Sequence, residues 1–128
     1  MVFSAVAKTM SDAYLSLFYH YQRLVHQTMR VIARGPLRAF WTNHADAEQA
    51  LKAWLADAEK AQWNSPNDIT ENYANTSILG GSRVCFNIKG NIYRLIVKVL
   101  YQAQVVYIKF VGTHAEYDKV NAETVSLY

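Results

Sequence analysis

The sequence predicts an α+β domain, with N-terminal helices packed on a small, mainly antiparallel sheet, and three observations carry that expectation. Apolar residues recur at helical spacing through the first half of the chain and switch to a period of two from Arg83 onward. The second half is rich in Val, Ile, Tyr and Phe, which suit a pleated, half-buried surface. Two turn candidates, Gly90-Asn91 and Gln102-Ala103, then divide it into strands that can fold back on one another. At 128 residues the chain is the size of one domain, so one site is sought.

In chain order, residues 1–28 form an aromatic-rich leader in which Tyr14, Leu17, Phe18, Tyr21, Leu24 and Val25 follow a helical period. They are treated as an N-terminal extension, either a short added helix or a mis-assigned start, ahead of a main domain at 29–128. Arg30 to Ala33 is a brief strand candidate closed by Gly35-Pro36, and a proline suits the first position of the helix that follows. Leu37, Phe40 and Trp41, then Ala47, Leu51, Trp54, Leu55 and Ala58, keep the three-and-four step of a buried helical face. A short helix, a break near Asn43 and a longer helix to about Gln62 are expected, the second one started by a capping box from Asp46 and Gln49. Ser65-Pro66 with Asp68 marks a further helix start, and Asn75 to Gly81 reads as loop. Strands follow at Arg83–Lys89, Ile92–Tyr101 and Gln104–Val111, and the polar stretch THAEYDKVNAET returns to helical character.

Pairing the strands about the two turns places Asn87 opposite Arg94, Arg83 opposite Lys98, Lys98 opposite Tyr107 and Ile96 opposite Lys109. Side chains alternate faces along a strand, so Arg83, Asn87, Lys89, Arg94, Lys98, Tyr107 and Lys109 are expected on one face. Val84, Phe86, Ile88, Tyr93, Leu95, Val97, Val99, Val106, Ile108 and Phe110 are expected on the other, under the Leu51, Trp41 and Trp54 helices. The net charge of +3 is mild, but between Asn72 and Ala115 there is no acidic residue and there are five cations, Arg83, Lys89, Arg94, Lys98 and Lys109. Antiparallel sheets routinely show water one polar face. Like charges across strands repel, however, by roughly 0.2–1 kcal/mol a pair, and a bound polyanion would offset that. Such a face suits phosphates, and Tyr107 among the cations suits stacking on an unpaired base.

Other chemistries lack their signatures. His20, His26, His44 and His114 are too scattered for a metal site, and the single cysteine, Cys85, has no companion. No dinucleotide fingerprint, P-loop or nucleophile elbow is present. No apolar run reaches the roughly 18 residues of a membrane span, and a chain with one cysteine and no secretory leader is expected in the cytoplasm. Trp41, Trp54 and Trp63 are assigned to packing.

At VCFNIKGNIYRLIVKV (Val84 to Val99) and YIKFVGTHAEYDK (Tyr107 to Lys119), with MRVIARGPLRAFW (Met29 to Trp41) upstream, the chain resembles the HigB family of toxin–antitoxin systems. The resemblance covers about 100 residues, Met29 to near Thr124, and leaves residues 1–28 without a counterpart. It implies a RelE-like fold and a metal-independent endoribonuclease, an mRNA interferase acting on the translating ribosome. It also implies no cofactor, and a HigA-like DNA-binding antitoxin through which alone operator DNA is met. In such a reaction the ribose 2′-hydroxyl attacks the adjacent phosphate, so the site needs proton transfer and cations for the added negative charge. The cations would be Arg94 and Lys98, then Lys109 and Arg83, with Asn87, Lys89 and Tyr107 on the RNA. Proton transfer would fall to His114 or Tyr117. A histidine ordinarily titrates near pH 6.5, whereas a tyrosine, near 10, would need cations to lower it. Asp118 reads as a salt-bridge or capping residue. Two other functions fit the same basic face: non-catalytic binding of RNA or ribosome, and docking of an antitoxin by a degenerate toxin.

Overall fold

The computed structural model describes residues 28–128 and, before them, Ala13, Tyr14 and Leu17. The expected leader helix otherwise lies outside the described residues. The order is β1 (Arg30–Ile32), α1 (Gly35–Asn43), a 3-10 turn (Ala45–Ala47), α2 (Glu48–Lys60), α3 (Pro66–Thr70), β2 (Ser77–Leu79), β3 (Arg83–Ile88), β4 (Tyr93–Leu100), β5 (Val105–Thr113) and α4 (His114–Tyr117). The strands form one sheet ordered β1-β5-β4-β3-β2. It is antiparallel except at β1, which runs parallel to β5. This is the α+β arrangement expected from the change of period. Among the described residues no helix is long and apolar enough to cross a membrane.

Leu51, Trp54 and Ala58 of α2 are buried at the predicted spacing. They pack with Leu37, Val84, Phe86, Leu95, Val97, Val106 and Ile108 into one core between helices and sheet. Phe86 is its aromatic centre, with Tyr73 at 5.0 Å, Trp54 at 5.4 Å and Trp63 at 6.0 Å between ring centroids. A fully buried side chain of this size contributes about 1.5–3 kcal/mol, so the core alone explains why the helices sit on this face.

Both hairpins take the expected turns. Ile92 N–H donates to the Lys89 carbonyl at 3.3 Å around Gly90-Asn91, and Gln104 N–H donates to the Tyr101 carbonyl at 3.3 Å around Gln102-Ala103. Arg83 faces Lys98 and Asn87 faces Arg94, as the symmetry about the first turn requires. In the second hairpin Lys98 faces Tyr107, but the register shifts between Ile96 and Val97, so Ile96 faces Phe110 and not Lys109. One extra residue in a strand turns everything beyond it to the opposite face. Phe110 therefore leaves the predicted core face, and Val111 takes its place in the core.

Two further expectations are corrected. Residues 75–81 are not all loop, because Ser77–Leu79 pairs with β3 as an edge strand. The Asp46–Gln49 capping box does not form: α2 starts without a side-chain cap. Asp46 instead accepts from the Tyr93 hydroxyl and the Lys89 ammonium, tying the first hairpin to the helical layer. That pairing lowers the Asp46 pKa, chiefly through the Tyr93 hydrogen bond. The capping box occurs at Thr113-x-x-Glu116, where the Thr113 hydroxyl accepts from Glu116 N–H at 3.1 Å and the Glu116 carboxylate accepts from Thr113 N–H at 2.9 Å.

Burial pushes the Tyr73 phenol up to about 12, with the Asp57 carboxylate adding to the shift. Tyr93 and Tyr101 also move upward, Tyr93 mainly through its bond to Asp46 and Tyr101 mainly through burial. A raised pKa means stability is fully present below the unfolded value near 10 and is lost as pH climbs through the folded value. The urea midpoint is therefore expected to fall between pH 10 and about 12, and Tyr73→Phe to fall less steeply over that range than wild type.

Candidate active site

The face turned away from the helices is built in rows set by the registers. Asn87, Arg94 and Gly112 form a row at the hairpin end, Cys85, Ile96 and Phe110 a middle row, and Arg83, Lys98 and Tyr107 a third. The middle row is apolar and buried, covered by Leu79, Tyr117, Val120, Ala122 and Val125. Residues 117–125 thus cross the sheet between its two charged ends. The predicted single basic face is divided, with Arg94 and Lys98 about 13 Å apart at roughly 3.3 Å per residue.

At the hairpin end Arg94 is only 8% exposed. Its guanidinium donates to the Asn91 carbonyl at 3.1 Å and to Asn91 Oδ1 at 2.7 Å, and it lies 5.8 Å from the centre of the Tyr117 ring. Tyr117 and His114 come from α4, which begins where β5 leaves the sheet, and His114 N–H donates to the Ile92 carbonyl at 3.1 Å. The His114 ring is about half exposed, and its Nδ1 lies 3.2 Å from Asp118 Oδ2. When Nδ1 carries the proton toward Asp118, Nε2 is left as an exposed proton acceptor.

Tyr117 has a different environment. It packs against the Cys85 cluster, and its pKa is raised, first by burial and then by Cys85, with Arg94 opposing. Burial likewise raises the Cys85 thiol, against the neighbouring Tyr117 and Arg94. The nearby cation does not win, so the phenol stays protonated. Gly112, across from Arg94, sits close under this layer: a Cβ there would lie 2.6 Å from the Phe110 ring and 3.3 Å from Glu116 Cβ.

At the other end Lys98, Tyr107 and Lys109 stay together, with the Lys109 ammonium 5.6 Å from the Tyr107 ring centre. Arg30 joins them. It pairs with Val105, and since Val31 points into the core, the exposed Arg30 projects to the same face as Tyr107. The sequence reading missed it because a parallel strand far away in the chain leaves no local pairing signal.

Two predicted residues are engaged elsewhere. Lys89 has a positive φ of 52° that turns it off the face, where it pairs with Asp46 at 3.2 Å. Arg83 is 8% exposed and donates to the carbonyls of Ala122 at 3.2 Å and Val125 at 2.6 Å, so it anchors the covering segment. Asn87 remains beside Arg94. Among the described residues no three His, Cys, Asp or Glu side chains are grouped so as to hold a metal ion.

With this geometry in view, a family model described as HigB_toxin, the RelE-like toxic component of a toxin-antitoxin system, matches residues 47–120. The chain belongs to this family. The match spans Asn87, Arg94, His114 and Tyr117, and the five-stranded mixed sheet backed by helices is consistent with a RelE-like fold. Among curated proteins none matches the chain. As the toxic component of a toxin–antitoxin system, this HigB-family protein has an antitoxin partner.

Arg83→Ala is expected to release residues 120–128 of this toxin. Removing a charged donor from two part-buried carbonyls costs up to about 1.5–3 kcal/mol. Limited proteolysis should then cut the C-terminal segment faster than in wild type at equal helix content, and equal cleavage of both would rule out the anchor.

Proposed function

We propose that this toxin is a metal-independent endoribonuclease that cuts mRNA on the translating ribosome in the cytoplasm and is held silent by a HigA-like DNA-binding antitoxin. The observation that carries the reading is the pairing, at one end of the sheet, of a half-exposed His114 backed by Asp118 with a guanidinium fixed by Asn91 and Tyr117. His114 Nε2 takes the 2′-hydroxyl proton as that oxygen bonds to phosphorus. The bond from phosphorus to the 5′-oxygen breaks, and that oxygen leaves with a proton from solvent, giving a 2′,3′-cyclic phosphate and a 5′-hydroxyl. Arg94 carries the charge that builds on the phosphoryl oxygens, where fixed donors contribute most.

Tyr117, whose pKa is raised chiefly by burial and whose ring lies beside the Arg94 guanidinium, positions Arg94, and His114 is the proton-transfer group. Lys98, Lys109, Tyr107 and Arg30 hold the strand beyond the covering segment, Tyr107 through stacking. Residues 29–128 are the toxin domain and 1–28 an extension of it.

Induced expression of the full chain in bacteria tests this, wild type beside His114→Ala and Arg94→Ala, with mRNA ends mapped by primer extension. Wild type should arrest growth and leave new ends inside translated messages, and His114→Ala should cut at least about 100-fold more slowly. Soluble wild type that leaves growth and messages intact would exclude the activity and favour a binding role for the basic face.

A further inference from the structure

β2 pairs with β3 only as far as Ser77 opposite Cys85, so the edge of β3 from Phe86 onward is left to the loop at residues 73–76. Between that loop and the strand lies a cleft of about 220 Å³, lined by Tyr73, Ala74, Asn75, Thr76, Phe86 and Asn87. Its chemistry is mixed. The partly exposed Tyr73 ring gives the cleft an aromatic side, edge to face at 5.0 Å on the buried Phe86 behind it. Thr76 keeps the loop closed by donating to the Tyr73 carbonyl at 2.5 Å. Among the described residues the Asn75 and Asn87 amides, by contrast, have no hydrogen-bond partner.

The cleft is smaller than the roughly 300–1,000 Å³ of sites for drug-sized ligands, and it suits one planar heterocycle. A carboxamide presents a donor beside an acceptor, the pattern that matches the edge of a base, and bases in single strands are read on those edges against aromatic side chains. Position completes the argument, because Asn87 faces Arg94 across the hairpin. We propose that this cleft receives one unpaired nucleobase of the RNA whose phosphate lies at Arg94, and that Asn75 and Asn87 set a base preference next to the cut. The proposal rests on the endoribonuclease reading for the placement of that phosphate.

The test uses the full chain and a set of 2′-O-methyl hexanucleotides, which lack the attacking hydroxyl, varied through the four bases one position at a time. Affinities are read by fluorescence anisotropy. At one position wild type should bind the best base at least about tenfold more tightly than the worst, and Asn75→Ala and the cleft-filling Ala74→Trp should each reduce that ratio to about threefold or less. No binding, equal affinity for all bases at every position, or discrimination that survives in both folded variants would overturn the proposal. Failure of the endoribonuclease reading looks different: the oligonucleotides would be bound with base discrimination, yet induced full-length chain would leave translated messages uncut.

Discussion

The functional face depends on how the sheet covers an apolar row that the helices cannot reach. Cys85, Ile96 and Phe110 point away from the main core and would be exposed on an open sheet. The C-terminal segment closes over them, pinned where Arg83 donates to the carbonyls of Ala122 and Val125. One consequence is steric, since Gly112 leaves room for the Phe110 ring beneath α4. The other is electrostatic, since a cation that would have faced solvent is buried against two carbonyls and the remaining charge is divided between two ends.

That division gives the two ends different physical characters. Arg94 is held by Asn91 and flanked by Tyr117, so its guanidinium has little freedom, as a group that stabilises developing charge requires. Lys98, Lys109 and Arg30 sit on partly or fully exposed positions beside Tyr107, a surface suited to holding a flexible strand. The Asp46 contacts to Tyr93 and Lys89 fix the first hairpin against α1 and α2, and so fix the turn from which Asn91 holds Arg94.

Much of this was legible in the sequence where the signal is local. The change of period at Arg83 located β3 to β5, and the two turns set every pair in the first hairpin and the outer half of the second. The bulge at Ile96 was not legible, because an extra residue on the face only shows once both strands are aligned. Nor was the role of Arg83, whose partners lie 39 and 42 residues away. Lys89 was placed on the wrong side because alternation fails at a positive φ. Asp46 looked like a cap and was drawn off by Tyr93, a tertiary contact. The Thr113-x-x-Glu116 box was present in the sequence and marks the start of the helix that carries His114 and Tyr117. The resemblance to the HigB family, by contrast, agrees with the family match.

The central claim is that the two ends of the face do different work, one chemistry and the other strand binding. It is tested most directly by single-turnover cleavage of a ribosome-bound message at saturating and limiting toxin, with affinity measured in parallel. The account predicts that Lys98→Ala and Lys109→Ala weaken binding while keeping the saturating rate, and that His114→Ala lowers that rate at least about 100-fold while affinity stays within about threefold. Loss of the saturating rate in Lys98→Ala and Lys109→Ala equal to that in His114→Ala would contradict it.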